Sequence, residues 1–404
     1  MVESSQRRGG PLAGVRVLEL GTMIAGPVAA TLLGDFGAEV IKIEPPKGGD
    51  PIRQSGPFVG EESLYWNVEG RSKRSVTLDL RLPEGQRVLR ELVRHVDVLV
   101  ENFRPGTLAK WGLGYAQLRA INPSLVMLSI SGFGQTGPYA GRPSYDRIAL
   151  AFAGFLNMTG FPDRPPVRPG NATADYQSAI LGAFAAMVAL YYRDARGGVG
   201  QHIDLSLYES VFRFTDVMIT AYDKLGTPRE RQGNVHFAAS PGDHYETRDG
   251  RYIALTVAAN TVFQRLCESM GRPELADDPR YDAHIKRVAN YAQINGIVAD
   301  WIKSMPVEEV LARLEANSVP HSLIYKPSDI LADPHYQARG SIASLEHPKI
   351  GSLKLPSIHP RFSASPAPEM QPAPALGEHT QRVLSEMLSM SPGEIDKLRE
   401  AGVI

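Results

Sequence analysis

What this chain lacks narrows its function before any motif is read. Its single cysteine, Cys267, rules out an intrachain disulfide and any multi-cysteine metal cluster, and fits a reducing compartment. Charge of one sign is missing too: 43 Lys and Arg stand against 44 Asp and Glu, a formal net charge of -1, so no nucleic acid and no membrane surface is expected as a main partner. The longest apolar run, Ala179 to Tyr192, is too short to span a bilayer, and residues 1–10 (MVESSQRRGG) lack the apolar segment of a secretion signal. The expected location is therefore cytoplasmic, where the sequon Asn171-Ala172-Thr173 stays unmodified. Neither a His-Glu-x-x-His pattern nor a paired-histidine helix occurs among the ten histidines, so no metal site is expected, and no Gly-x-Ser-x-Gly elbow surrounds a serine.

What is present is enough apolar material, 43% of 404 residues, for a full core in two domains. Short β-branched runs at Val15 to Leu20, Glu39 to Glu44, Ser75 to Leu80, Val96 to Glu101 and Leu125 to Ile130 alternate with helical patterns at Val28 to Phe36, Pro83 to His95 and Gly114 to Ile121. That order predicts an α/β domain with a mainly parallel sheet. A long helix from Asp175 to Tyr192, a strand at His202 to Leu205 and one helix through Tyr208 to Tyr222 complete a large domain over residues 1–225. Residues 226–330 read as a smaller domain, with a hairpin from His244 to Thr256 turning at Asp249-Gly250 and two or three amphipathic helices between Thr261 and Ala316. The remainder, 331–404, is a proline-rich return (Pro356 to Pro374) and two closing helices, Glu378 to Met387 and Pro392 to Glu400, expected to pack on the large domain.

Asp175 is the most informative residue. Pro162, Pro165, Pro166, Pro169 and Gly170 forbid regular helix before it, and the apolar stretch from Ser178 to Tyr192 makes a buried helix after it, so its carboxylate is positioned at a loop-to-helix junction. Taken alone, an Asp in such a place is most often a cap or first-turn acid that interacts with the helix N-terminus. Gly132-Phe133-Gly134-Gln135-Thr136-Gly137 satisfies the dinucleotide pattern but is followed by Pro138, Gly141 and Pro143, not by the helix that would receive a pyrophosphate, which argues against NAD or FAD. Lys42, Arg53, Arg71, Lys73, Arg74, Arg81, Arg104 and Lys110 fall at strand ends or in loops; they read equally as solvated charge or as a phosphate-binding rim.

Several long segments carry a resemblance to a known family: PLAGVRVLELGTMIAGPVAATLLGDFGAEVIKIEPPKGGDPIR from Pro11, then NVEGRSKRSVTLDLRLPEG, VLVENFRPGTLAKWGL, SISGFGQTGPYAGRPSYD, NATADYQSAILGA and GVGQHIDLSLYESV. In this order they resemble the family III CoA-transferases, the group of formyl-CoA transferase and bacterial carnitine CoA-transferase. The resemblance implies a large domain with a mainly parallel Rossmann-like sheet, a smaller α+β domain, and an open-ring protomer whose copies interlock as a homodimer. It implies no permanently bound cofactor; coenzyme A thioester is substrate, together with a carboxylic acid. The family's catalytic aspartate falls on Asp175, and Asp146 matches an acidic residue close to it. Met23, Ile24 and Ala25 match the loop beside the CoA thiol end, while Leu78, Arg81, Asn102, Phe103, Arg104 and Lys110 match positions lining the rest of CoA. The small domain is expected to begin near Arg231 and to bring Ser240 and Gly242 to the acyl site, with Arg231, Asn234 and His236 available to a substrate carboxylate.

Two departures bear on the substrate. Formyl-CoA transferase has a glutamine where this chain has Ile24, and a run of glycines where this chain has Ser240-Pro241-Gly242-Asp243. The pattern instead looks like members that use succinyl-CoA as donor and malate, citramalate, itaconate or glutarate as acceptor. The alternatives are another acid pair, such as formate and oxalate, a carnitine-like acid or an aromatic acid, and a non-catalytic acyl-CoA-binding subunit. The related α-methylacyl-CoA racemases need a His/Asp acid-base pair, and the segment before Asp175 has no histidine.

Overall fold

A computed structural model describes residues 9–235 and 239–404. Six strands form one all-parallel sheet: β1 (Arg16–Glu19), β2 (Glu39–Glu44), β3 (Arg74–Thr77), β4 (Val98–Glu101), β5 (Val126–Ser131) and β6 (His202–Ser206). Their order in space is β3-β2-β1-β4-β5-β6. The β-branched runs form these strands because both faces of a parallel sheet are covered: β5 is buried at every position and β2 at five of six. Strand order reverses between β1 and β4, the switch point where open α/β sheets leave a crevice at the carboxyl ends of their strands.

The helices that matter for the site are α1 (Ala25–Asp35), α2 (Leu64–Glu69), α3 (Pro83–Val93), α4 (Asp146–Phe152) and α5 (Thr173–Ala195). The buried stripe of α5 is small up to its last turns, with Ala174, Ser178, Ala179, Gly182, Ala186 and Ala189 before Leu190, which lets it lie close against α1 and the sheet. Gly182 suits this close approach, since a Cβ there would come within 2.9 Å of the Leu128 side chain, which would have to shift. At 23 residues α5 has the length and hydropathy of a membrane span, but those small residues pack inside the protein.

One expected helix is two. The stretch Tyr208 to Tyr222 divides into α6 (Leu207–Phe212) and α7 (Met218–Leu225), because the Thr215 hydroxyl donates to the Phe212 carbonyl at 2.8 Å and Asp216 turns left-handed with φ 58°.

The chain divides into two compact units, one of residues 9–155, 168–225 and 340–404, the other of 156–167 and 226–339. In the first, the core joins sheet residues Leu18, Ile41, Val76, Leu99 and Met127 to Leu89 of α3 and to the closing helices α11 (Thr380–Leu388) and α12 (Pro392–Glu400) through Val383, Leu384, Ile395 and Leu398. Polar bonds fix the same return: Thr77 N–H donates to Thr380 Oγ1 at 2.9 Å and Asp79 N–H to Val403 O at 2.8 Å.

The second unit has a three-stranded antiparallel sheet of β7 (Gly242–Glu246), β8 (Tyr252–Thr256) and β9 (His321–Leu323), in the order β9-β8-β7. The β7–β8 hairpin turns at Asp249-Gly250, with Gly250 at φ 75°. Helices α8 (Asn260–Ser269), α9 (Tyr291–Lys303) and α10 (Val307–Ala316) cover it, and a shorter one at His284–Ala289 makes four α-helices where two or three were expected. The extra helix carries Arg287, which is fully buried and donates to the carbonyls of Ser240 (2.8 Å), Tyr281 (3.0 Å) and Ala258 (3.2 Å).

Candidate active site at the start of the long helix

Asp175 occupies the first turn of α5, yet it does not cap the helix. The cap comes from another element: Asp146, first residue of α4 and 8% exposed, accepts the Ala174 N–H at 2.8 Å. Its second oxygen has no hydrogen bond, and the nearest cation is the Arg168 Nε at 3.9 Å. Among the described residues no hydrogen bond or ion pair reaches the Asp175 carboxylate. Burial, and then the nearby negative charge of Asp146, push its pKa up to about 7. A structural acid at a helix start is normally depressed and engaged; this one is raised and free.

Three residues that sequence reasoning missed surround it. The hydroxyl of Tyr176 donates to Glu69 Oε1 at 2.8 Å, which ties α5 to the end of α2. Tyr65 hydrogen-bonds with Tyr176, and it feels the charges of Glu69, Asp175 and Asp146 after burial as causes of a raised phenol pKa. The motif NVEGRSKRSVTLDL contained Glu69, but no spacing connected residue 69 to residue 175. Only the packing of α1, α2 and α5 brings them together.

The other expected site residues of the first unit fall at one edge of the sheet, since all six strands run the same way. Met23, Ile24 and Ala25 follow β1, with Met23 left-handed at φ 63°. Leu78 and Arg81 follow β3. Asn102, Phe103 and Arg104 follow β4, and Lys110 ends a short helix at Thr107–Lys110. Their surroundings differ. Leu78 is 1% exposed and belongs to the core, so its side chain is packing. Phe103 packs edge-on to Trp111 with centroids 5.7 Å apart. Asn102 spends both ends of its amide on Thr22, accepting its N–H at 2.8 Å and donating to its carbonyl at 2.9 Å. Arg81, Arg104 and Lys110 are exposed, with Arg81 ion-paired to Asp79 at 2.6 Å.

The basic rim is smaller than the eight residues suggested. Lys42 and Lys73 are buried on Glu19, Arg53 on Glu44 and Arg71 on Asp35, while Arg74 pairs with Glu39 and Glu386. Strand-end position did not reveal these internal pairings. The Gly132–Gly137 segment is a loop with Gly134 and Gly137 at φ 86° and 88°, and the next helix begins only at Asp146.

In the second unit Arg231 donates to Asn157 O at 3.2 Å, and Asn234 to Asp243 Oδ1 at 2.8 Å. Ser240 is fully buried with an unpartnered hydroxyl, while Gly242 donates to Asn295 Oδ1 at 3.2 Å and accepts from the Tyr291 hydroxyl at 2.7 Å. Asn234, Ala239, Gly242, Asp243 and His244 line, with β8, a cavity of about 260 Å³. His236 lies outside the described residues. A cavity of about 580 Å³ in the first unit, between residues 343 and 372, has neither Asp175 nor Asp146 on its wall. No group of His, Cys, Asp and Glu among the described residues has a metal-binding arrangement.

A doubly wound sheet with an uncommitted, desolvated carboxylate beside its edge is the framework of an α/β enzyme capable of covalent carboxylate chemistry. The profile of CoA-transferase family III matches residues 12–380, and the chain belongs to that family. It is 43% identical to the succinyl-CoA–D-citramalate CoA-transferase of Chloroflexus aurantiacus, over 99% of this chain and 100% of that one. It is 45% identical to the beta subunit of the same organism's succinyl-CoA–L-malate CoA-transferase, over 98% of each. Among solved structures, a CAIB/BAIF family protein from Brucella suis superposes with a TM-score of 0.85 at 35% identity, covering 94% of this chain and 100% of that one.

Proposed function

We propose that this protein moves CoA from succinyl-CoA to a second dicarboxylic acid, with Asp175 as the nucleophile. The observation that carries the reading is the division of labour between two acids: Asp146 holds the helix start, and Asp175 is left desolvated and unpaired. The names of the citramalate and malate relatives support the choice of donor and acceptor class.

The Asp175 carboxylate attacks the thioester carbonyl, and the collapsing oxyanion expels CoA thiolate to leave an aspartyl–succinyl anhydride. The thiolate then attacks the aspartyl carbonyl, releasing succinate and forming a β-aspartyl-CoA thioester. The acceptor carboxylate attacks that thioester, and the freed thiolate returns to the acceptor's acyl carbon, regenerating Asp175. Every step is an acyl exchange, so bound metal and redox cofactors have no part in it; coenzyme A enters and leaves as substrate. A carboxylate whose basicity is raised by burial and by Asp146 is a better nucleophile than a solvated one.

In this reading Met23, Ile24 and Ala25 border the thioester, and Arg81, Arg104 and Lys110 supply exposed cations to the CoA phosphates. Within the second unit, Asn234, Ser240 and Gly242 are the residues that the family resemblance assigns to the acyl group, with Arg231 as a cation for a carboxylate. A silent subunit has no use for a free nucleophile, which favours catalysis in this chain. Two copies interlock in the proposed assembly. Its support is the set of large apolar side chains left exposed on α5 (Ile180, Phe184, Val188, Tyr191) and on α6 and α7 (Phe212, Ile219, Tyr222, Leu225) in the single chain. Sedimentation as a single chain at micromolar concentration would overturn the dimer. A cytoplasmic setting goes with this reading, since the single buried Cys267 leaves no disulfide to form within the chain.

The deciding experiment offers succinyl-CoA with a panel of acids and detects new CoA esters by mass. Malate, citramalate, itaconate or glutarate should accept CoA; acceptance by formate or carnitine analogues alone would reject the dicarboxylate assignment.

A further inference from the structure

Between β1 and α1, side chains from distant parts of the chain hold individual backbone groups. Lys42 Nζ donates to Gly21 O at 2.9 Å, and the Asn102 amide brackets both polar groups of Thr22 at 2.8 and 2.9 Å. Asp50 Oδ1 accepts the N–H of Met23 at 3.0 Å and that of Ile52 at 2.9 Å, and Lys73 Nζ donates to Pro27 O at 2.8 Å. Behind these contacts the Glu19 carboxylate, fully buried, binds both ammonium groups at 2.6 and 2.7 Å, and Lys42 closes on Asp50 at 2.7 Å. Two cations and two anions balance inside the core. A buried cluster of this kind is seldom more stabilising than apolar packing of the same volume, so its specific contribution is one fixed geometry. That geometry holds Met23 in a left-handed conformation that a side chain ordinarily avoids. The space around it is equally determined: a Cβ on Gly21 would meet Pro27 at 3.0 Å and Asn102 at 3.3 Å.

The clamp also reaches the helix of the nucleophile. The Thr31 hydroxyl lies 2.9 Å from Pro27 O and 2.6 Å from Glu69 O, and Glu69 receives the Tyr176 hydroxyl next to Asp175. Residues 21–27 and the start of α5 are therefore joined by hydrogen bonds through α1 and α2.

We propose that Asp50 and Asn102 are positioning residues for the acyl transfer: they lock residues 21–27, Asp50 through Met23 and Asn102 through Thr22. The inference rests on the proposed reading that Met23 to Ala25 border the thioester. A loop held by buried charge needs no reorganisation as the thioester carbonyl becomes an oxyanion, which is where fixed geometry lowers a barrier.

The test compares Asn102→Ala and Asp50→Asn with wild-type protein, using succinyl-CoA with the best acceptor for turnover, free CoA for calorimetry, and thermal unfolding. The expected result is a fall in kcat at saturating succinyl-CoA on the order of 10- to 100-fold for each variant. The Kd for CoA should stay within about twofold, and the double variant should be little worse than the poorer single one, since both act on one loop. A raised Kd for CoA with kcat preserved would make Asn102 a CoA ligand and overturn the proposal. A lowered melting temperature with kcat intact would make the clamp purely structural and overturn it as well. Should Asn102→Ala not fold, Asp50→Asn, nearly isosteric, carries the same comparison. Wild-type protein that forms no new CoA ester from succinyl-CoA with any acid offered would remove the function itself, a failure visible before any variant is compared.

Discussion

Two places where a loop becomes a helix are built in opposite ways. At the start of α1 the chain is surrounded by committed groups: Lys42, Lys73, Asp50 and Asn102 each hold a named backbone atom, and Glu19 holds the two lysines. At the start of α5 the one residue of chemical interest is held by nothing among the described residues, and its neighbour Asp146 does the structural work. The difference teaches how a protein keeps a reactive group available. It satisfies the backbone with other side chains, so that the reactive side chain is excused from capping. Charge is treated accordingly: at α1 every buried ion meets its opposite, whereas at α5 two acids are placed near each other and one is pushed up to about 7.

The sharpest way to break this contrast is Asp175→Asn. If the free carboxylate is the nucleophile, the isosteric amide should abolish turnover by about three orders of magnitude or more while CoA binding survives. Were Asp175 a cap after all, Asn would serve about as well and activity would persist. Mass detection of a CoA adduct on residue 175, present in wild type and absent in the variant, is the direct readout.

Breaking the committed side should do the reverse. Lys42→Met removes one cation from the buried cluster, leaves Glu19 with Lys73 alone and Asp50 without its ion-pair partner, and strips Gly21 O of its donor. The expected cost is about 3–5 kcal/mol of stability by urea unfolding, because a buried carboxylate loses its partner. A change well below 1 kcal/mol would mean that water reaches the cluster.

The smallest expected effect follows from the sign of the Asp175 shift. Its folded pKa, about 7, lies above the ordinary 3.8, so the folded protein holds the proton more tightly than the unfolded chain does. This contribution favours folding fully below pH 3.8 and is lost as pH rises through about 7. Asp175→Asn should therefore be no more stable than wild type near pH 4 and more stable near pH 8, by on the order of 1 kcal/mol or more. The same titration should give wild-type kcat/KM a limb that rises with pH up to about 7. A variant less stable than wild type at both pH values would show that the carboxylate was engaged.

Much of the fold was legible because its signals are local. Alternating β-branched runs and helical patterns marked all six strands of the sheet, and Pro392 to Glu400 was read to the residue, since Ser391 caps a helix that opens on proline. The break between α6 and α7 was hidden, because Thr215 and Asp216 interrupt a helix through one hydroxyl and one dihedral angle that composition does not encode. For the site, prolines and the apolar run that follows were enough to place Asp175 at a helix start, and the family resemblance gave it a role.

The sequence by itself determined that Asp175 begins a helix, that a parallel sheet precedes it and that CoA chemistry was the family's business, because such patterns are written in neighbouring residues. Only the tertiary structure decided which acid caps and which stays free, and that Lys42 and Lys73 are internal struts and not a phosphate rim. It also turned Asn102 toward Thr22. Each of these depends on residues tens of positions apart in the chain, whose meeting is set by strand order and helix packing. Burial then supplies the physical reason: the same carboxylate or ammonium is a solvated charge at the surface and a committed or reactive one once water is removed.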